Sequence, residues 1–214
     1  MSRSVVEGLV EGVGGVEARR LVLTLYDVFA SVYRGLYSLV ESFDEDLSRG
    51  VVDVDEYYRE AEDVVRNMYL DAHYLAGRLN EVLVRHPELL RLLPGAAPIQ
   101  SPDASYKLLG VLAGVLFRIA CGFEGPRRGV LVLLGYSYLG LAGGRPLDAV
   151  VFTLASIASA RGRGDVAAEL LRRVDVDLEG VINFACGAVE LAKFLEDRGT
   201  GSNPEGAFPW VGTW

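Results

Sequence analysis

The chain has 214 residues, half of them apolar, with 29 acidic residues against 21 basic ones. This apolar content excludes an intrinsically disordered chain, and the net charge of −8 argues against a protein that nucleic acid covers broadly. Glycine and proline show no period and heptads are not sustained, which excludes collagen and coiled-coil rods. The length fits one large domain or two small ones.

The polar composition is biased. Only Lys107 and Lys193 are lysine among the 21 basic residues, and the chain has one glutamine, four asparagines, two methionines and two cysteines. A scarcity of thermolabile side chains is typical of thermophilic proteins, although a GC-rich genome would also raise the arginine content. The composition therefore favours a thermophilic source.

The first predicted element is a helix from Val16 to about Leu47, since apolar residues recur there at helical spacing. Residues 1–15 have no signal-peptide pattern. A second long helix begins at Asp53, which with Glu56 forms a capping-box pattern, and it ends at the His-Pro pair at 86–87. These stretches predict a long antiparallel helix pair.

A Pro-rich stretch at 94–102 follows, and the second half of the chain reads as shorter helices separated by Gly- and Pro-containing turns. The predicted fold is therefore all-α, with about seven helices: a long antiparallel helix pair followed by a compact bundle of short helices. We divide it into an acidic region 1–93, a bundle 103–198 and an aromatic tail 199–214, which we expect to form one integrated unit.

The longest apolar runs, at 108–117, 130–141 and 149–160, are shorter than the ~20 residues that a membrane-spanning helix needs. We interpret them as buried helices and expect a cytoplasmic protein without a membrane partner.

Cys121 and Cys186 form no CxxC pair, which argues against a zinc site. The favoured interpretation is two buried thiols, and the alternative is a disulfide that joins two helices.

One helix segment carries a possible catalytic pattern. Arg66 and Asn67 are followed by His73, in the sequence RNMYLDAH. This segment resembles the R-x(4–6)-H motif of HEPN-domain ribonucleases, which are all-α, usually dimeric and metal-independent. The resemblance implies that Arg66 stabilises phosphate charge, that His73 is the general acid or base, and that Asn67 is their polar neighbour. The favoured alternative is an ordinary solvated helix face, in which Arg66 pairs with Glu62.

A basic stretch lies in the second half of the chain. Residues 127–173 are net positive, whereas residues 1–100 carry a net charge of −7. Arginines at helix ends could bind phosphate, an RNA backbone or an acidic protein surface, such as the protein's own N-terminal half. The favoured alternative is ordinary surface ion pairs. The arginines are Arg127, Arg128, Arg145, Arg161, Arg163, Arg172 and Arg173.

The C-terminal tail ends in FPWVGTW, and its aromatic residues are costly to leave in water. Phe208, Trp210 and Trp214 are therefore predicted either to fold back over the core or to bind a partner chain.

No P-loop, nucleophile elbow or HExxH motif is present, so we expect no cofactor and no metal. The sequence favours a non-enzymatic helical assembly or adaptor protein in a larger complex, which contacts another protein or itself and has an arginine-rich edge for nucleic acid. The alternative is a HEPN-like ribonuclease.

Overall fold

The computed structural model describes Glu7 and residues 15–32, 34–67, 72–92 and 102–197. Within these residues the chain is helical and contains no strand, which confirms the predicted all-α class. None of the described helices is both long and apolar enough to span a membrane. The described elements are α1 (Val16–Val32), α2 (Arg34–Arg49), α3 (Val54–Asn67), α4 (Ala72–Arg85), a 3-10 helix (Pro87–Leu92), α5 (Pro102–Ala120), α6 (Pro126–Ala142), α7 (Pro146–Ala160), α8 (Gly164–Arg172) and α9 (Leu178–Asp197).

Several helix ends follow from local chemistry. The Asp53 carboxylate accepts hydrogen bonds from the backbone N–H groups of Asp55, at 2.9 Å, and Glu56, at 3.2 Å, which confirms it as the cap of α3. Proline begins both α6 and α7, where a missing N–H costs no helical hydrogen bond. Gly50 has a φ of 75°, so it provides the left-handed turn after α2.

The predicted long helix pair is only partly consistent with the structure. The first predicted helix corresponds to α1 and α2, and the second to α3 and α4; Tyr33 and residues 68–71 lie outside the described residues. Helix α3 packs on α2, α7 and α8, whereas α4 packs on α1 and α5. The predicted pairing is therefore present between α2 and α3, which the turn at Gly50 joins, and α1 also contacts α4.

The centre of the molecule is a series of antiparallel hairpins from α5 to α8, each helix packed on the next. Helices α1 to α4 supply further core residues, and α9 packs on α5, α6 and α8. Because α7 has neighbours on several sides, every residue from Ala149 to Ala158 is buried. This explains why α7 is apolar all round and not amphipathic.

Buried hydroxyl groups join α6 to α7. The Thr153 hydroxyl lies 3.1 Å from the Ser137 hydroxyl, and the Ser156 hydroxyl donates to the Val130 carbonyl at 3.1 Å. All three hydroxyl-bearing residues are buried, so their polar groups need partners inside the protein. Thr153 and Ser137 also donate to carbonyls of their own helices, those of Ala149 and Leu133. The hydrogen bond from Ser156 to Val130 therefore depends most on the alignment of the two helices.

A disulfide joins Cys121 to Cys186, so the favoured interpretation of two buried thiols is wrong. Cys121 directly follows α5, and Cys186 lies in the middle of α9, which packs on α5. Their Cα atoms are 5.5 Å apart, within the range that a disulfide requires. The separation of 65 residues in sequence could not show this, because it depends on how α9 returns to α5.

Candidate functional site

Helix α9 has apolar side chains on two opposite sides. Ala185, Val189 and Ala192 face the core and are buried. On the other side, Phe184, Leu191 and Phe194 expose 56%, 52% and 48% of their surface. Together with Gly187 they lie at spacings of three and four residues, which places them on one face. We call these four residues the α9 outer face.

The second apolar stripe is unusual for a helix at the edge of a bundle. A helix that packs on one side needs a single apolar stripe, and its other side is normally polar. Contiguous exposed apolar residues at heptad spacing are typical of a surface that contacts another helix. The α9 outer face is therefore the candidate functional site that the described residues favour most.

A cleft of about 360 Å³ lies beside the α9 outer face, between α6, α7 and the start of α9. Its walls are mainly apolar and include Tyr136, Phe152, Val176, Val181 and Phe184. The rings of Tyr136 and Phe152 stack with centroids 5.3 Å apart, and burial raises the pKa of Tyr136 to about 12. Because Phe184 belongs to both surfaces, the cleft and the α9 outer face are continuous.

Carboxylates lie at the rim of this cleft. Burial raises the pKa of Asp148, although the Arg145 guanidinium, 2.7 Å away, acts in the opposite direction. Asp177 accepts a hydrogen bond from the backbone N–H of Gly180 at 2.7 Å and so caps α9. These contacts hold the side chains in structural roles, and they do not form a nucleophile with its base. In the described parts of the chain, no three His, Cys, Asp or Glu side chains cluster closely enough to hold a metal ion.

The predicted arginine edge is divided by the topology. Since consecutive helices from α5 to α8 are antiparallel, their turns alternate between two ends of the stack. Four of the predicted arginines lie at one end and three at the other. The first group is Arg127, Arg128, Arg161 and Arg163, and the second is Arg145, Arg172 and Arg173.

Several of these arginines have acidic partners. Arg161 donates two hydrogen bonds to Asp44, both at 2.7 Å, and Arg173 forms an ion pair with Asp55. Both carboxylates belong to the N-terminal half of the chain, which is one of the acidic surfaces that the sequence suggested. Arg163 pairs with Asp165 in the same way, at 3.0 and 2.9 Å.

The remaining arginines are less constrained. Arg128 donates to the Phe123 carbonyl at 2.6 Å. Arg127 and Arg172 are exposed, and among the residues that the structure describes neither forms an ion pair. The charge that could face a phosphate is therefore much smaller than the arginine count suggests.

The ribonuclease residues are described only in part. Arg66 is exposed and lies 3.3 Å from Asp63 on its own helix, as on an ordinary solvated face, although the predicted partner was Glu62. The side chains of Asn67 and His73 lie outside the described residues, as do Phe208, Trp210 and Trp214 of the tail.

Sequence reasoning missed the α9 outer face. The signal was present, because α9 has apolar residues at helical spacing on two sides. The sequence does not show which of the two sides is buried and which is exposed, because that depends on which side faces α5 and α6.

The chain matches no family model, no curated protein and no solved structure.

Proposed function

We propose that this chain is a non-enzymatic helical assembly or adaptor protein, a subunit of a larger complex, which binds a protein partner through the α9 outer face. The observation that supports this proposal is the half-exposed row of Phe184, Leu191 and Phe194 on a well-packed helix. Aromatic and leucine side chains on one face supply the apolar contact area that helix recognition uses. The neighbouring cleft extends the same apolar surface.

The proposal does not include nucleic acid. Arg161, Arg163 and Arg173 each lie against a carboxylate of this chain, and a phosphate would have to compete with it. The ribonuclease alternative stays a prediction, because the side chains of Asn67 and His73 lie outside the described residues.

Gel filtration of extract from the native source tests the proposal. The tagged chain should elute well above the mass of one chain. Leu191→Glu should shift it to that of a single chain, because a carboxylate in an apolar interface is left unpaired. Val84→Glu is the matched control, since Val84 is also exposed and its helix, α4, packs on α1 and α5. Elution of the wild-type chain as a monomer, or an equal shift with Val84→Glu, would contradict the proposal.

A further inference from the structure

We infer that the cleft between α6, α7 and the start of α9 binds a small aromatic amine, whose ring lies against the apolar walls and whose ammonium group faces the carboxylates at the rim. This inference goes beyond the proposed function, because it concerns a ligand of the cleft and not the protein partner of the α9 outer face. It follows from the size of the cleft, the residues of its walls and the sign of the charge at its rim.

The size of the cleft fits a small molecule. Its volume is about 360 Å³, and its walls are mainly apolar. Binding sites for small molecules are typically concave and mostly apolar, with volumes of roughly 300 to 1,000 Å³ and a few polar groups that orient the ligand. The cleft therefore has room for one small organic ligand.

The walls expose apolar surface inside a concavity. Tyr136, Leu139, Val176 and Val181 line the cleft and are only half-buried. The ring of Tyr136 stacks on the buried ring of Phe152, with an angle of 26° between their planes, so this wall is formed before any ligand binds. A ligand in contact with these side chains would remove apolar surface from water, and a flat ring packs well beside an aromatic pair. The walls therefore favour an aromatic ligand.

The charge at the rim determines the sign of the ligand. The described residues that line the cleft include three carboxylates, those of Asp148, Asp175 and Asp177, and one guanidinium, that of Arg145. The guanidinium lies 2.7 Å from Asp148 and neutralises that carboxylate. The other two carboxylates have no basic partner among the described residues. The rim therefore keeps two excess negative charges, which attract a cation and repel an anion.

Both of these carboxylates can accept a hydrogen bond from an ammonium group. Asp177 accepts one from the backbone N–H of Gly180 through Oδ2, at 2.7 Å, and a carboxylate has lone pairs for further donors. Asp175 is exposed, and its carboxylate accepts no hydrogen bond from another described residue. Burial raises the pKa of Asp148, which shows that water is partly excluded at this rim. An ion pair there is screened less than one on an open surface.

Isothermal titration calorimetry of the purified chain tests the inference with three probes that share one ring system. Tryptamine carries an ammonium group, tryptophol is the matching neutral alcohol, and indole-3-propionate is an anion. Tryptamine should bind about three- to tenfold more tightly than tryptophol, because it adds partly exposed ion pairs to the same ring contact. Indole-3-propionate should bind most weakly, and high salt should reduce the preference for the cation.

The double variant Asp175→Asn/Asp177→Asn separates charge from shape. Asparagine tolerates the left-handed backbone of residue 175, where φ is 54°, and it caps a helix as aspartate does. The variant should bind tryptamine about three- to tenfold more weakly. Its affinity for tryptophol should not change, which checks that the cleft is intact. Glu179→Gln is the matched control, since Glu179 is exposed in the first turn of α9 and does not line the cleft.

Val176→Trp locates the site, because a larger side chain at this wall fills the cleft. Circular dichroism checks its folding, and it should bind neither tryptamine nor tryptophol. Four outcomes would overturn the inference: no binding of tryptamine by the wild type, equal affinities for the three probes, full binding by Val176→Trp, and equal effects of Glu179→Gln and the double variant. None of these results decides the gel-filtration test of the α9 outer face, so the proposed function and this inference can fail separately.

Discussion

Arg161 and Arg163 lie two residues apart, and each binds an aspartate with two hydrogen bonds. The surroundings of the two pairs differ. The two arginine side chains are about equally exposed, at 35% and 36%, but the side chain of Asp44 is only 9% exposed and that of Asp165 is 68% exposed. A buried carboxylate that loses its partner keeps its desolvation cost, but an exposed carboxylate is solvated by water.

Arg161→Ala should therefore lower the free energy of unfolding by roughly 2 to 4 kcal/mol, because the buried Asp44 carboxylate loses two hydrogen bonds from a charged donor. Arg163→Ala is the matched control and should change stability little. Urea denaturation followed by circular dichroism measures both. Adding Asp44→Ala to Arg161→Ala should restore part of the loss, since the buried carboxylate is removed as well. Similar losses in the two arginine variants would show that burial does not decide the effect.

The pairing of Arg163 with Asp165 makes part of the stability depend on pH. Hydrogen bonds from Arg163 lower the pKa of Asp165 to about 2, from an ordinary value of 3.8. A lowered pKa means that the pair stabilises the fold above pH 3.8 and that this contribution disappears as the pH falls towards 2. At residue scale the sequence predicted that these arginines pair with acids, but it could not predict which pairs are buried.

At the scale of helices, α5 and α6 approach closely at a glycine. A Cβ atom at Gly135 would lie 2.5 Å from Cε1 of Phe117, which is a clash. The ring of Phe117 is buried and packs against Tyr136, with centroids 5.0 Å apart, so it has little freedom to move. Gly135 therefore determines how closely α5 and α6 can pack.

Gly135→Ala should destabilise the protein by about 1 to 3 kcal/mol, because the added methyl group overpacks this contact. Gly77→Ala in α4 should instead raise the free energy of unfolding by about 0.5 to 1 kcal/mol. A Cβ atom there meets nothing within 4 Å, and alanine favours a helix more than glycine does. Thermal unfolding of the two variants provides the comparison. A loss of stability at both glycines would show that the close approach at Gly135 is not the cause.

The element scale also shows where prediction from sequence succeeds. The start of α3 at Asp53 and the prolines that begin α6 and α7 were predictable, because caps and first turns depend on neighbouring residues. The outer face of α9 was not predictable, because it depends on which elements pack against the segment.

At the scale of the whole molecule, the Cys121–Cys186 disulfide connects the end of α5 to α9 across 65 residues of sequence. Closing a loop of this size restricts the unfolded chain and should stabilise the folded state by about 4 kcal/mol. The double variant Cys121→Ala/Cys186→Ala should lose about this amount in urea denaturation. Wild-type protein in dithiothreitol is the control and should behave like the variant; a variant as stable as the oxidised protein would contradict the prediction.

The difference in net charge between the two halves of the chain corresponds to ion pairs between them. The N-terminal half is acidic, and two of its carboxylates, Asp44 and Asp55, receive Arg161 and Arg173 from the second half. The sequence showed the asymmetry and suggested this half as one acidic partner, but the particular pairs depend on how α2 and α3 pack on α7 and α8.

The hydroxyl pair between α6 and α7 determines the alignment of the hairpin. The buried side chains of these helices are mostly leucine, valine and alanine, whose contacts are not directional as hydrogen bonds are. A shift of α7 by one turn would move Thr153 about 5.4 Å from Ser137 and leave Ser156 without the Val130 carbonyl. A shifted alignment therefore loses the hydrogen bond from Ser156 to Val130, whereas Thr153 and Ser137 still donate to carbonyls of their own helices. In this hairpin the apolar residues stabilise the contact between the helices, and the directional hydrogen bonds of a few hydroxyl groups favour the native alignment over shifted ones.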